Sequence, residues 1–82
     1  MKAPFKEYFN VLEKLWFTIP EHPACERAQD KIEDILSKKS KAEILKFLES
    51  CTDKELYMIY PVVENLVEYH NMEFAKKFIR YE

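Results

Sequence analysis

The chain contains no glycine among its 82 residues, although average usage would place about six in a sequence of this length. Glycine supplies the positive-φ and side-chain-free positions that phosphate-binding loops and tight hairpins require. The sequence therefore excludes the glycine-rich nucleotide-binding motifs, and it disfavours a sheet built from short hairpins.

Apolar residues recur at helical spacing along the whole chain. The first stripe follows Pro4 and is predicted to be buried: Phe5, Phe9, Leu12, Trp16 and Ile19. We expect an all-α, single-domain bundle over residues 1–82, with about five short amphipathic helices and no sheet. A solenoid of stacked helical hairpins is the alternative, because the pairs 24–50 and 53–81 have compatible lengths.

Local signals predict where several helices begin and end. Ser40 with Glu43 and Thr52 with Glu55 have the spacing of capping boxes, so helices should start directly after Ser40 and Thr52. Asn71 should end the fourth helix, since in a chain without glycine it takes the left-handed conformation at low cost. A fifth helix is then predicted to follow, with Phe74, Phe78 and Tyr81 on one face.

Charge and cysteine content limit the partners and the compartment. Thirteen basic and fifteen acidic residues give a formal net charge of −2. This balance lacks the positive footprint of phosphate-backbone binding, so we expect no nucleic-acid partner. Cys25 and Cys51 are too few for a disulfide framework. We therefore expect buried, reduced thiols and a cytoplasmic protein, with no segment apolar enough to enter a membrane.

Residue types that carry catalysis or bind metals are few. His22 lies three residues before Cys25, but no third group is placed to orient the pair, and His70 stands alone at a helix end. The cysteines and histidines also lack the paired spacings that put two metal ligands on one turn. The sequence therefore predicts no enzyme, no metal site and no cofactor.

The fourth helical segment carries more apolar and aromatic residues than one buried face needs. Its predicted core stripe comprises Leu56, Ile59, Val63, Leu66 and Val67. At about 100° per residue, three further residues fall on nearly the opposite side: Met58, Val62 and Tyr69. A third stripe lies between them: Tyr57, Tyr60, Glu64 and Glu68. Pro61 should kink the helix between Met58 and itself.

Tyrosines flanked by carboxylates are typical anchors of protein interfaces, because the ring buries apolar area while the hydroxyl finds a partner. We therefore predict that Tyr57, Tyr60, Glu64 and Glu68 bind one protein partner. The alternative is that the segment is simply the central helix of the bundle, with both tyrosines in the core.

The Tyr60-Pro61 step beside acidic residues resembles, over two or three residues, the Tyr-Tyr-Pro element of colicin DNase immunity proteins. Members of that family are small acidic helical bundles whose tyrosines anchor a toxin. The resemblance implies a protein that neutralises a basic toxin domain by direct binding. The acidic stretch that follows the proline in that family is absent here.

Two other functions stay open from the sequence. A regulatory or adaptor module, including a homodimer formed through the fourth helix, would use the same strip. A nucleic-acid-binding regulator would rest on two groups of basic residues: Lys38, Lys39 and Lys41, and Lys76, Lys77 and Arg80. Neither group is interleaved with aromatic residues and glycine as RNA-binding surfaces often are.

Overall fold

The computed structural model describes residues 3–80, and within them it is all-α, as the periodicity predicts. The α-helices are α1 (Lys6–Leu15), α2 (Pro23–Ser37), α3 (Lys41–Ser50), α4 (Asp53–Met58) and α5 (Tyr60–Tyr69). A 3-10 helix precedes them at Ala3–Phe5 and another follows at Glu73–Phe78. No strand occurs in the described range, and no helix in it is long and apolar enough to cross a bilayer.

Both predicted capping boxes are confirmed. The Ser40 hydroxyl accepts the Glu43 amide hydrogen at 3.2 Å, and the Glu43 carboxylate accepts the Ser40 amide hydrogen at 3.2 Å. Thr52 and Glu55 exchange the same two bonds at 3.1 and 2.8 Å. These side chains satisfy amide groups that have no partner inside the helix, so α3 and α4 begin where the sequence predicts.

The first helix is shorter than predicted. It ends at Leu15, whose carbonyl accepts the amide hydrogens of Thr18 and Ile19 at 3.1 and 2.7 Å. Pro20 disfavours the α conformation at the residue before it, so the helix cannot run on to Ile19. The prediction that the buried stripe extends to Ile19 is therefore wrong: Ile19 is exposed and Trp16 is half-buried.

The predicted kink at Pro61 is confirmed as a complete break. Ile59 leaves helical geometry at φ −117° and ψ 18°, and it separates α4 from α5. The prediction that Met58 and Val62 lie opposite the core is wrong, since they are 2% and 1% exposed. A single helical phase does not run through the break, and α5 packs against both α2 and the C-terminal 3-10 helix. Tyr69, on the same predicted face, is exposed.

The chain reverses after α5 at Asn71, which has the predicted left-handed conformation with φ 56°. The Met72 amide hydrogen bonds back to the Leu66 carbonyl at 3.0 Å. The segment Glu73–Phe78 then forms a 3-10 helix against α5, whereas the sequence predicts an α-helix there. Tyr81 of that predicted helix lies outside the described residues.

One hydrophobic cluster joins the elements of the described range. Helix α2 packs against both α1 and α5, with Ile32 and Leu36 fully buried. The rings of Phe5 and Phe47 meet at a centroid distance of 4.6 Å, which ties the start of α1 to α3. Each fully buried Leu, Ile or Phe contributes about 1.5–3 kcal/mol relative to leaving it exposed.

Candidate functional site

The junction between α4 and α5 places the two predicted anchor tyrosines side by side. Pro61 has no amide hydrogen, and its ring clashes with the carbonyl four residues earlier, so a continuous helix cannot form here. The Val62 amide hydrogen instead bonds to the Ile59 carbonyl at 2.9 Å. The rings of Tyr57 and Tyr60 stack across the break, with centroids 5.8 Å apart and planes inclined by 27°.

A buried glutamine from α2 holds this junction in place. Because Val62 bonds to Ile59, the Met58 carbonyl does not receive the hydrogen bond that a continuous helix would give it. The Gln29 Nε2 group donates to that carbonyl at 2.8 Å, and Gln29 is 9% exposed. A buried carbonyl without a donor is costly, so this bond stabilises the break and thereby the relative placement of the tyrosines.

Four aromatic side chains meet at the junction, and we call them the aromatic cluster: Trp16, Phe17, Tyr57 and Tyr60. Ring centroids lie 6.3 Å apart for Trp16 and Tyr57 and 5.9 Å for Trp16 and Tyr60. Phe17 lies 5.5 Å from Tyr57. Sequence reasoning missed Trp16 and Phe17 as site residues, although Pro20 is a signal that the chain turns there and frees both rings from the helix.

The aromatic cluster lies at the protein surface and not in the core. Phe17 is 45% exposed, its neighbour in the same turn Ile19 is 44% exposed, and Tyr57 and Tyr60 are half-buried. The Trp16 indole nitrogen is buried and has no hydrogen-bond partner among residues 3–80. A half-buried group of large rings at the surface is typical of a contact surface, since aromatic residues are enriched in the cores of interfaces.

The two predicted carboxylates continue from the tyrosines along α5. Glu64 and Glu68 follow Tyr60 by one and two helical turns; Glu64 is half-buried and Glu68 is exposed. Both line a groove of about 270 Å³ between α5 and the C-terminal 3-10 helix, together with Val67, Lys76 and Ile79. The four predicted residues therefore divide into an aromatic part at the junction and an acidic part beside Lys76.

A salt bridge borders the aromatic cluster on the α1 side. The Lys54 ammonium group of α4 pairs with the Glu13 carboxylate of α1, and both side chains are more than half exposed. The same ammonium group lies 5.5 Å from the centroid of the Phe17 ring. This cation-π contact orients the Phe17 ring, at an expected gain of about 0.5–1 kcal/mol for an exposed site.

The side chains of His22 and Cys25 each have a partner on the backbone. The His22 Nδ1 atom accepts the Ala24 amide hydrogen at 3.0 Å, so the ring caps the start of α2. The Cys25 thiol is buried and points to the Ile19 carbonyl, with Sγ 3.8 Å from the oxygen. Burial raises the pKa of the Cys25 thiol, and the carboxylate of Glu21 raises that pKa further.

Within residues 3–80, no three His, Cys, Asp or Glu side chains are grouped closely enough to hold a metal ion. The Glu33 carboxylate connects α2 to α5 and its C-terminal end, because it accepts a hydrogen bond from Asn65 Nδ2 at 2.8 Å and lies 3.1 Å from His70 Nε2.

The chain was compared with protein-family models, curated proteins and solved structures, and it matches none of them.

Proposed function

We propose that this protein is a non-enzymatic binding module that holds one protein partner through the aromatic cluster, with Glu64 and Glu68 beside it. The observation that carries the proposal is the half-exposed packing of four aromatic rings at the α4–α5 junction. Interface hot spots are enriched in tryptophan and tyrosine. A fully buried aromatic side chain covers about 150–250 Å², and the part of each ring that is still exposed here is what a partner can cover.

The charge around the cluster favours a basic partner. The chain has a formal net charge of −2, and the α5 carboxylates lie one and two turns beyond Tyr60. Carboxylates at the rim of an apolar contact speed the approach of a positively charged surface and reject a negative one. In its sharpest form, the proposal is an immunity-type protein that neutralises a basic toxin domain by direct binding.

The proposal includes a reducing compartment such as the cytoplasm. Cys25 is buried and Cys51 is half-buried, whereas the sequence predicts both to be buried; neither forms a disulfide, which is typical of proteins that function where thiols are kept reduced. A bacterial cytoplasm is also where a protein that neutralises a nuclease would meet its target.

The test begins with the tagged protein and its native lysate, from which the partner is captured and identified. Tyr57→Ala and Tyr60→Ala should each weaken binding of the purified partner by about thirtyfold or more, the scale of a hot spot. Tyr69→Ala is the matched control, because Tyr69 has the same chemistry, lies on α5 and is 73% exposed outside the cluster. Trp16 is the only tryptophan, so its fluorescence reports contact at the cluster directly.

Two further measurements separate the immunity function from an adaptor function. Expression of the captured partner alone should arrest cell growth, and co-expression with this protein should restore it. Replacing Glu64 and Glu68 with Gln should mainly slow association and weaken its salt dependence. Equal capture by Tyr57→Ala, Tyr60→Ala and Tyr69→Ala would refute the aromatic cluster as the binding site. Capture of a second copy of this chain would favour the homodimer.

A further inference from the structure

A second groove lies between α3 and the C-terminal 3-10 helix, and we call it the basic groove. Its volume is about 590 Å³, and six residues line it: Lys41, Leu45, Glu73, Phe74, Lys76 and Lys77. The fold thus brings Lys41 together with Lys76 and Lys77, which lie more than thirty positions later in the sequence. Three ammonium groups and one carboxylate leave the basic groove with a net positive charge, in a protein whose total charge is negative.

Aromatic rings hold two of these lysines at the basic groove. The Lys41 Nζ atom lies 5.3 Å from the centroid of Phe74, and the Lys77 Nζ atom lies 5.3 Å from the centroid of Phe78. Among residues 3–80, none of the three groove lysines forms an ion pair with a carboxylate. Aromatic rings therefore position the ammonium groups of Lys41 and Lys77, and the charge of all three lysines is available to a ligand.

The floor of the basic groove is apolar. Leu45 and Phe74 are both half-buried and both pack against the hydrophobic core. A ligand that fits must therefore present negative charge to the three lysines and an apolar group to Leu45 and Phe74. The volume lies within the range of about 300–1,000 Å³ that is usual for ligand sites, and it is enough for one or two side chains.

We propose that the basic groove binds an acidic peptide segment of a protein partner, with an aliphatic or aromatic side chain against Phe74 and flanking carboxylates on Lys41, Lys76 and Lys77. The basic groove shares no residue with the aromatic cluster, although Lys76 also borders the neighbouring groove that Glu64 and Glu68 line. The inference does not depend on the proposed function, because no residue of the aromatic cluster lines the basic groove.

The charges near the groove favour a peptide over a nucleic acid. Glu73 lines the basic groove, and Glu64 and Glu68 line the neighbouring groove that shares Lys76. A phosphate backbone needs a long, continuous positive track, which these carboxylates interrupt. An acidic peptide places its charges individually and can set an apolar side chain between them, so it fits the alternation of lysines and apolar floor.

The test uses a fluorescein-labelled peptide of Asp and Glu residues with one central leucine, titrated with the full chain and read by fluorescence anisotropy. Two control peptides replace the leucine with serine or the acidic residues with lysine. An exposed ion pair is worth about 1.4-fold to fivefold in affinity, so the triple variant K41Q/K76Q/K77Q should lose between about threefold and about hundredfold. Lys46→Gln is the matched control, since Lys46 is an exposed lysine of α3 that does not line the groove.

The expected result is that the acidic peptide with leucine binds best, that binding weakens as salt rises, and that Tyr57→Ala has no effect on it. Helicity of the triple variant, measured by circular dichroism, should equal that of the wild type because all three changes are on the surface. Absence of peptide binding, or equal binding by the wild type and the triple variant, would overturn the proposal. Tighter binding of a single-stranded oligonucleotide than of the peptide, lost in the triple variant, would replace the peptide with nucleic acid.

Discussion

The hydrogen bond from Gln29 to the Met58 carbonyl makes a sharp prediction, because it is the polar contact between α2 and the helix break. In Gln29→Met the side chain keeps its length and most of its volume but loses the donor. The carbonyl is buried, and in the wild type it accepts this bond at 2.8 Å. The variant leaves that acceptor unsatisfied.

The expected loss follows from the burial of the acceptor. Leaving a buried hydrogen-bonding group without a partner costs about 1–3 kcal/mol, and the apolar burial that methionine adds offsets part of this cost. We therefore expect a net loss of about 1–2 kcal/mol in the free energy of unfolding. For a domain of this size each kcal/mol lowers the melting temperature by about 4–8 °C, so the melting temperature should fall by about 4–16 °C.

Thermal and urea unfolding followed by circular dichroism at 222 nm measure this loss. Asp30→Asn is the control, since Asp30 is the exposed neighbour of Gln29 and its change should stay within about 0.5 kcal/mol. Gln29→Glu adds a second arm. At neutral pH it buries a carboxylate against a carbonyl and should be less stable than Gln29→Met. As the pH falls, the protonated carboxyl regains an O–H donor and the deficit relative to the wild type should shrink.

Two outcomes would refute this reasoning. One is a Gln29→Met variant as stable as the wild type and Asp30→Asn. The other is a Gln29→Glu variant whose deficit does not change with pH. Either result would mean that the helix break stands without a donor from α2, and that the sterics of Pro61 alone place Tyr57 beside Tyr60.

Three further predictions follow from individual side chains. Tyr57→Ala removes ring contacts with Trp16, Phe17 and Tyr60 from a half-buried site. The free energy of unfolding, measured by thermal unfolding, should therefore fall by about 1–2 kcal/mol, and a fall above about 3 kcal/mol would place this ring in the core instead. Burial and the Glu21 carboxylate raise the pKa of Cys25, so this thiol should react with a water-soluble alkylating agent only after denaturation. Fast labelling of the thiol in the native protein would contradict its burial. Hydrogen bonds from the Ser40 backbone and then from its side chain lower the pKa of Glu43. The stabilisation that these bonds give is therefore present at neutral pH and is lost as the pH falls through the lowered pKa. Urea unfolding at neutral and acid pH should show that the free energy of unfolding falls less with pH in Glu43→Gln than in the wild type.

Short-range chemistry in the sequence determined the helix starts, the helix break and the left-handed turn. The Ser40 and Thr52 caps act on amide groups three residues away, and Pro61 acts on the preceding turn. Asn71 takes a positive φ because its own side chain tolerates it. These features could be predicted because every interacting atom lies within a few residues.

Only the tertiary structure decided which side chains meet at each surface. A helical wheel assumes one phase, so it placed Met58 and Val62 away from the core, whereas the break at Ile59 changes that phase and buries both. The contact of Trp16 with Tyr57 joins residues from α4 and the turn after α1. The basic groove likewise joins Lys41 to Lys76 and Lys77. Such long-range contacts depend on how whole helices pack, which the local pattern of a sequence does not encode.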